Sequence, residues 1–186
     1  MRYEQCVILP GGEQLLIRSM EAGDAAAAIW LMRKAAGETD FLMRESEECG
    51  MTIAQEQAYI ARMNDSPCEA FVGSFIGGEL AGMANVSQIA PRARVRHRAT
   101  VGISIAKAYW GRGIGTAMMR TLMDLSKGMG YEQIELEVVD KNKRAIALYE
   151  RLGFAAVGRL PNAFKYRDGS YADLLLMVLP LADKNA

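Results

Sequence analysis

Three glycines at alternate positions constrain this chain more than any other feature, because they separate a strand-like segment from a helix-like one. Gly111, Gly113 and Gly115 follow an apolar alternation over residues 101–105 and precede a run with helical periodicity. A glycine exposes its backbone N–H to a ligand, and the N-terminus of the following helix adds about half a positive charge. The segment therefore predicts a cradle for a phosphate group.

Two common phosphate-binding motifs do not fit this segment. In the Rossmann fingerprint a third glycine stands three residues after the second, and here that position is Thr116, with Gly115 one residue early. A P-loop ends in Gly-Lys-Ser/Thr, which this segment lacks. Without further evidence the glycines are equally compatible with a tight turn.

A second segment, residues 140–154, has the pattern of a short helix with both ends marked. Asp140 or Asn142 can cap its start, and Gly153 can adopt the left-handed conformation that closes a helix. Four residues at helical spacing form one apolar face: Ala145, Leu148, Tyr149 and Leu152. Tyr149 is therefore predicted to point into the protein.

These two segments, in this order and at this separation, resemble the GNAT superfamily of acyl-CoA-dependent N-acetyltransferases over residues 100–154. The resemblance implies that the glycine loop holds the pyrophosphate of acetyl-CoA, that Asn142 touches the pantetheine or acyl arm, and that Tyr149 lies near the sulfur. The loop residues implied to bind the cofactor are Arg112, Gly113, Ile114, Gly115 and Thr116. One departure is Trp110, which stands where the family usually has Arg or Gln and so removes a side-chain donor.

The remaining pattern predicts one domain over residues 1–186, in the α/β class. Hairpins are predicted at residues 6–18 and 71–86, the second with a Gly77-Gly78 turn. Helices are predicted from Asp24 to about residue 35, ended by Gly37, and from Thr52 to about residue 63 with Ile53, Ile60 and Met63 inward. Further strands are predicted at residues 101–105, 134–138, 155–159 and 171–179. With the resemblance, this describes a mixed, mostly antiparallel central sheet with a parallel, splayed strand pair and flanking helices.

A splayed strand pair would leave backbone groups free to bind the cofactor. If residues 101–105 diverge from residues 134–138, the main chain of Ile103, Ser104 and Ile105 can hydrogen-bond the pantetheine amides as a neighbouring strand would. Tyr149 is the candidate general acid, because a phenol with a pKa of about 10 stays protonated at neutral pH and can donate to the departing sulfur. The alternative for Tyr149 is a core tyrosine, and for Asn142 a helix cap, a role that can coexist with cofactor contact.

The general base and the acceptor site are less constrained by the sequence. Glu38 and Asp40, together with Glu45 and Glu47, lie between the first two helices and could relay a proton through water or attract a cationic substrate. The alternative is that most of them are simply solvated loop charges. By analogy with the resembling family, Tyr171 in the last hairpin could also touch substrate.

Composition limits the other classes of function. The 22 basic and 22 acidic side chains balance, so no nucleic-acid partner is expected, although residues 92–98 form a local basic run. Three scattered cysteines and a single histidine predict no metal site. Without an apolar run of about 18 residues or a signal-like start, neither a membrane association nor export is expected, so the predicted location is the cytoplasm. The methionine-rich apolar content is compatible with a homodimer.

Three functions remain to be compared. The first is an enzyme that moves an acetyl group from acetyl-CoA to a primary amine of a small molecule or of a protein N-terminus. The second is a non-catalytic acyl-CoA sensor or interaction module. The third is a dinucleotide oxidoreductase, in which Glu135, about twenty residues after Gly115, would contact a ribose. The displaced third glycine argues against the third.

Overall fold

The structure is a computed structural model that describes residues 2–181. Within these residues the chain forms one eight-stranded sheet and four α-helices. The strands are β1 (Glu4–Ile8), β2 (Gln14–Ser19), β3 (Ala70–Ile76), β4 (Glu79–Gln88), β5 (Arg98–Ile105), β6 (Gln133–Val139), β7 (Ala155–Lys165) and β8 (Tyr171–Pro180). The helices are α1 (Ala25–Glu38), α2 (Ile53–Asp65), α3 (Ile114–Gly128) and α4 (Lys143–Arg151).

The strand order is β1-β2-β3-β4-β5-β6-β8-β7, and each neighbouring pair is antiparallel except β5 and β6. The crossover from β5 to β6 runs through α3, as expected for a parallel pair. This arrangement confirms the predicted mixed sheet. No helix among residues 2–181 has both the length and the apolar character needed to cross a lipid bilayer.

Helices cover both faces of the sheet. On one face α3 packs on β4 and β5. On the other face α1 and α2 pack on β3 and β4. The buried residues of the first layer include Ile114, Met118, Leu122, Ile134, Leu136 and Val138, and those of the second include Ala28, Leu31, Ile60, Met63, Phe71 and Met83.

The start of α2 was predicted correctly, but its inward face was not. Thr52 and Gln55 form a reciprocal capping box, with Gln55 N–H 3.2 Å from Thr52 Oγ1 and Thr52 N–H 2.9 Å from Gln55 Oε1. Ile60 and Met63 are buried as predicted, whereas Ile53 is 54% exposed. Glu56, one turn before Ile60, takes the buried position instead.

The ends of α1 also differ from the prediction. Asp24 precedes the helix without capping it through its side chain, because both carboxylate oxygens accept hydrogen bonds from Arg18, at 2.7 and 2.9 Å. The helix continues past Gly37 to Glu38. The turn at Gly77-Gly78 has the predicted positive φ angles, 56° and 87°.

The parallel pair β5 and β6 is joined over only three residue pairs. Arg98, Ala99 and Thr100 pair with residues 133–135, and beyond them the strands diverge. Farther along, β5 remains paired with β4 up to Ile105, and β6 remains paired with β8 up to Val139. The joined end carries a salt bridge between Arg98 and Glu135, with Arg98 Nη2 2.7 Å from Glu135 Oε2. The predicted splay is therefore present, as a wedge that widens towards the glycine loop.

Candidate active site

A cleft of 1280 Å³ passes through the gap between β5 and β6. At one end it reaches the glycine loop and the start of α3, and at the other it reaches α1, α2 and the loop between them. Its walls in the gap are the diverging halves of the two strands, Val101–Ile105 on one side and Leu136–Val139 on the other. Ile103, Ser104 and Ile105, predicted to bind the cofactor, all lie in this wall.

The glycine loop presents main chain to the cleft. Gly111 and Gly113 have φ angles of 79° and 90°, and Gly113 is the residue before α3. The first four N–H groups of an α-helix have no partner within the helix. Here the first-turn residues that line the cleft are Ile114, Gly115 and Thr116. A Cβ on Gly111 would meet no atom within 4 Å, so there is open space beside this residue of the loop.

Arg112 is the exception among the predicted loop residues. Its guanidinium forms a salt bridge with Glu13 in the turn between β1 and β2 and lies 5.2 Å from the ring centroid of Tyr109. The side chain is outside the cleft lining, so the cofactor contact predicted for Arg112 stays a prediction for its main chain alone. The reason is the sharp turn at the two flanking glycines, which sends residue 112 away from the gap.

A different cation, Arg144, lies beside the loop. The indole Nε1 of Trp110 donates to the carbonyl oxygen of Ile105 at 2.8 Å, so Trp110 fixes the end of β5. The Arg144 guanidinium lies 5.1 Å from the Trp110 ring centroid, and Arg144 lines the cleft. Sequence analysis missed this residue, because its contact with Trp110 joins two segments more than thirty residues apart. The positive side chain that the loop itself lacks is thus supplied by α4.

Tyr149 and Asn142, both on or next to α4, line the same cleft. Tyr149 is 8% exposed, its ring packs 5.8 Å from that of Phe154, and burial raises the pKa of its phenol to about 12. It is therefore a core residue and a cleft residue at once. Asn142 Oδ1 accepts the N–H of Ala145 at 3.2 Å, so it caps α4 while it faces the cleft. Asp140 is not the cap, since its carboxylate pairs with Arg159.

The acids and the tyrosine predicted for the acceptor site lie outside the cleft lining. Glu38 Oε2 accepts the N–H of Lys107 at 2.6 Å, which fixes the turn after β5. Asp40 is exposed. Tyr171 is 46% exposed, and its carbonyl oxygen accepts a hydrogen bond from Lys141 Nζ at 3.0 Å. The structure does not bring these three residues to the gap, although Thr39 and Phe41, on either side of Asp40, both line the cleft.

Other acids reach the cleft instead. Glu137 lies in the diverging half of β6, and its strand neighbours Leu136 and Val138 are buried in the layer formed with α3. Since side chains alternate along a strand, Glu137 faces the opposite side, towards α1 and α2. It is exposed to the cleft, and no salt bridge to it forms among residues 2–181. Its alternation with Leu136 and Val138 was visible in the sequence, but the gap that exposes it was needed to single it out.

Glu135, two residues earlier, has a different role. Its side chain is 8% exposed and paired with Arg98, and this hydrogen-bonded pairing lowers the pKa of its carboxyl. It lies where β5 and β6 are still joined, outside the cleft lining. The ribose contact that the oxidoreductase hypothesis required from Glu135 is therefore not supported.

Comparisons with known proteins agree with this geometry. A family model described as "Acetyltransferase (GNAT) family" matches residues 36–154. N-alpha-acetyltransferase RimI of Mycobacterium tuberculosis is 37% identical over 94 residues, which cover 50% of this chain and 56% of that protein. The chain thus spans about half the length of the first curated relatives that it matches.

Solved structures share the fold over a longer stretch. An acetyltransferase of the GNAT family from Streptococcus pneumoniae has a TM-score of 0.85 at 27% identity, covering 89% of this chain and 99% of that one. YncA of Salmonella typhimurium, solved with acetyl-CoA, has a TM-score of 0.81 at 20% identity, covering 92% of this chain and 96% of that one.

Proposed function

This chain belongs to the GNAT family of acetyltransferases, as its glycine loop and α4 predicted, and we propose that it transfers the acetyl group of acetyl-CoA to a primary amine. The observation that carries the proposal is a single cleft in which the glycine loop, the diverging β5 and β6, and Tyr149 meet. A binding module would need only the loop and the strands. The presence of Glu137 and Tyr149 in the same cleft favours catalysis.

The proposed cofactor site is built mainly from main chain. The first-turn N–H groups of α3 and the Arg144 side chain hold the pyrophosphate, where the helix terminus adds its partial positive charge. The backbone of Ile103, Ser104 and Ile105 pairs with the pantetheine arm as a missing strand would. Asn142 keeps its cap and offers its amide group to the same arm. When bound, acetyl-CoA supplies an activated acyl group as a thioester.

In the proposed chemistry Glu137 accepts a proton from the acceptor and Tyr149 donates a proton to the leaving group. An alkylammonium has a pKa near that of lysine, about 10.4, so the acceptor must lose a proton before it attacks. Glu137 accepts that proton, directly or through one water. A nitrogen–carbon bond then forms as the carbon–sulfur bond breaks, the nitrogen releases its second proton to solvent, and Tyr149 donates its phenolic proton to the departing thiolate. Exchange with solvent returns both side chains to their starting states.

We also propose a class of acceptor, an oligomeric state and a cellular location. RimI is named an N-alpha-acetyltransferase and other relatives are named for amino-acid substrates, which supports an acceptor that is a small-molecule amine or a peptide N-terminus. We place the protein in the cytoplasm as a single domain over residues 1–186, and propose a homodimer on its apolar surface. No nucleic-acid or membrane partner is proposed.

Acetyl transfer is tested by thiol release from acetyl-CoA, followed with a thiol-reactive dye. Purified protein should release thiol at a rate that depends on an added primary amine, and mass spectrometry should find the acceptor heavier by one acetyl group. A broad panel of amines and peptides should contain at least one acceptor. Binding of acetyl-CoA without transfer to any of them would instead favour a sensor.

The glycine loop gives a matched pair of variants for the cofactor site. Gly111 and Gly78 both have positive φ angles, 79° and 87°, and a Cβ on either would meet no atom within 4 Å. Alanine should therefore cost a similar folding free energy at both sites, about 1 kcal/mol. Only Gly111 lines the cleft, so Gly111→Ala should raise the Kd of coenzyme A about tenfold in calorimetry, while Gly78→Ala leaves it unchanged. Equal Kd values for the two variants would place the coenzyme elsewhere.

A further inference from the structure

Helix α2 carries a buried acid on the face that packs against the sheet. Ile60 and Met63 on this face are fully buried, and Glu56 lies on the same face one turn before Ile60. Glu56 is only 7% exposed. Acidic side chains are almost never buried to this degree unless a partner compensates the charge.

Glu56 has no such partner within the part of the chain that the structure describes. Across residues 2–181 no hydrogen bond or salt bridge to its carboxylate is formed. Burial raises the pKa of Glu56, and the exposed Arg44 of the loop between α1 and α2 opposes this only through space. A buried carboxylate left in this state costs stability, so its position is explained best by a ligand that pairs with it.

The surroundings of Glu56 indicate which ligand would fit. Glu56 lines the cleft together with apolar and aromatic side chains of α1, α2 and β3, namely Met32, Tyr59 and Phe71. The Tyr59 and Phe71 rings pack edge to face with centroids 5.4 Å apart. A carboxylate flanked by aromatic rings and an apolar surface is a typical site for an organic ammonium group on an alkyl chain.

Resting on the proposed transferase activity, we infer that Glu56 binds a second ammonium group of the acceptor. The preferred acceptors are then alkyl diamines. One nitrogen reaches Glu137 on the β6 wall and is acetylated, while the other stays charged and donates to Glu56 on the α2 wall. The hydrocarbon segment between them lies against the apolar side chains of the cleft.

Matched acceptors test this inference. Cadaverine and pentylamine share one alkyl chain and differ by the second amine, so the ratio of their kcat/KM values isolates what that amine contributes. In the unchanged protein the ratio should exceed about ten, the effect of one charge-assisted hydrogen bond. In Glu56→Gln, which keeps the shape of the side chain, the ratio should fall by about tenfold. Glu79→Gln, at the exposed first residue of β4, is the control and should leave the ratio unchanged.

Direct binding separates this inference from the transferase proposal. Calorimetry of cadaverine into the protein saturated with coenzyme A requires no turnover, and Glu56→Gln should weaken that binding about tenfold. If no amine is acetylated but cadaverine binding still depends on Glu56, the transferase proposal fails and the ammonium site stands. If both the kcat/KM ratio and the Kd are the same in Glu56→Gln as in the unchanged protein, the diamine inference is wrong.

Discussion

Glu137→Gln should lower kcat for amine acetylation at neutral pH by about a hundredfold, the usual contribution of a positioned base. The amide cannot accept the proton of the incoming ammonium, while its size preserves the wall of the cleft. Because more of the acceptor is unprotonated as the pH approaches its own pKa of about 10.4, the deficit should shrink as the pH is raised. Steady-state kinetics from pH 6 to pH 10 on one acceptor measures both effects.

A control for Glu137→Gln is available just before the same strand. Glu132 immediately precedes β6, is exposed and lies outside the cleft lining, so Glu132→Gln should leave kcat and its pH profile unchanged. The Kd of coenzyme A should be the same in both variants. A Glu137→Gln enzyme with full activity across the pH range would remove this residue from the proton path.

Tyr149→Phe should lower kcat by about a hundredfold while the Kd of coenzyme A changes less than about threefold. The phenol is the proton donor for the departing sulfur, and the ring alone preserves the packing against Phe154. Since its pKa is raised to about 12, the phenol stays protonated throughout the working range. Any loss of rate on the alkaline side that begins well below pH 12 must therefore come from another group.

Tyr131 provides a matched control for Tyr149. It is also buried, and its pKa is likewise raised to about 12, first by burial, but its hydroxyl donates to the carbonyl oxygen of Cys68 at 2.6 Å and it lies outside the cleft lining. Tyr131→Phe leaves that carbonyl without its donor and should lower the free energy of unfolding by about 1 kcal/mol without changing kcat. Tyr149→Phe should show the reverse pattern in denaturant melts and kinetics. Equal kcat values for the two variants would leave Tyr149 as a core residue alone.

The features that sequence analysis predicted well depend on local chemistry. The glycines before α3, the Thr52–Gln55 capping box and the apolar face of α4 are each read from a few neighbouring residues, and each is present in the structure. The parallel β5 and β6 followed from the strand-helix-strand order, which admits few connections. That β5 and β6 diverge was predicted from the resemblance to the GNAT family.

The features that sequence analysis missed depend on how distant segments meet. The Arg112 side chain pairs with Glu13, nearly a hundred residues away, while the Arg144 side chain reaches the loop from α4. Glu56 could have been found, since a capping box fixes the start of α2 and thereby which residues face inward. Expecting Ile53 there assumed that the apolar residue must be the buried one, and the acid took that place instead.

The short parallel pairing between β5 and β6 affects how substrate preference can change. Only three residue pairs join the β1–β5 block to the β6–β8 block, so the ladder of hydrogen bonds within each block does not extend across the cleft. Side chains on one wall of the cleft can therefore be substituted without disturbing the strand pairing that forms the other wall. Such an architecture would allow the acceptor preference to change through one wall while the coenzyme contacts on the other wall stay in place.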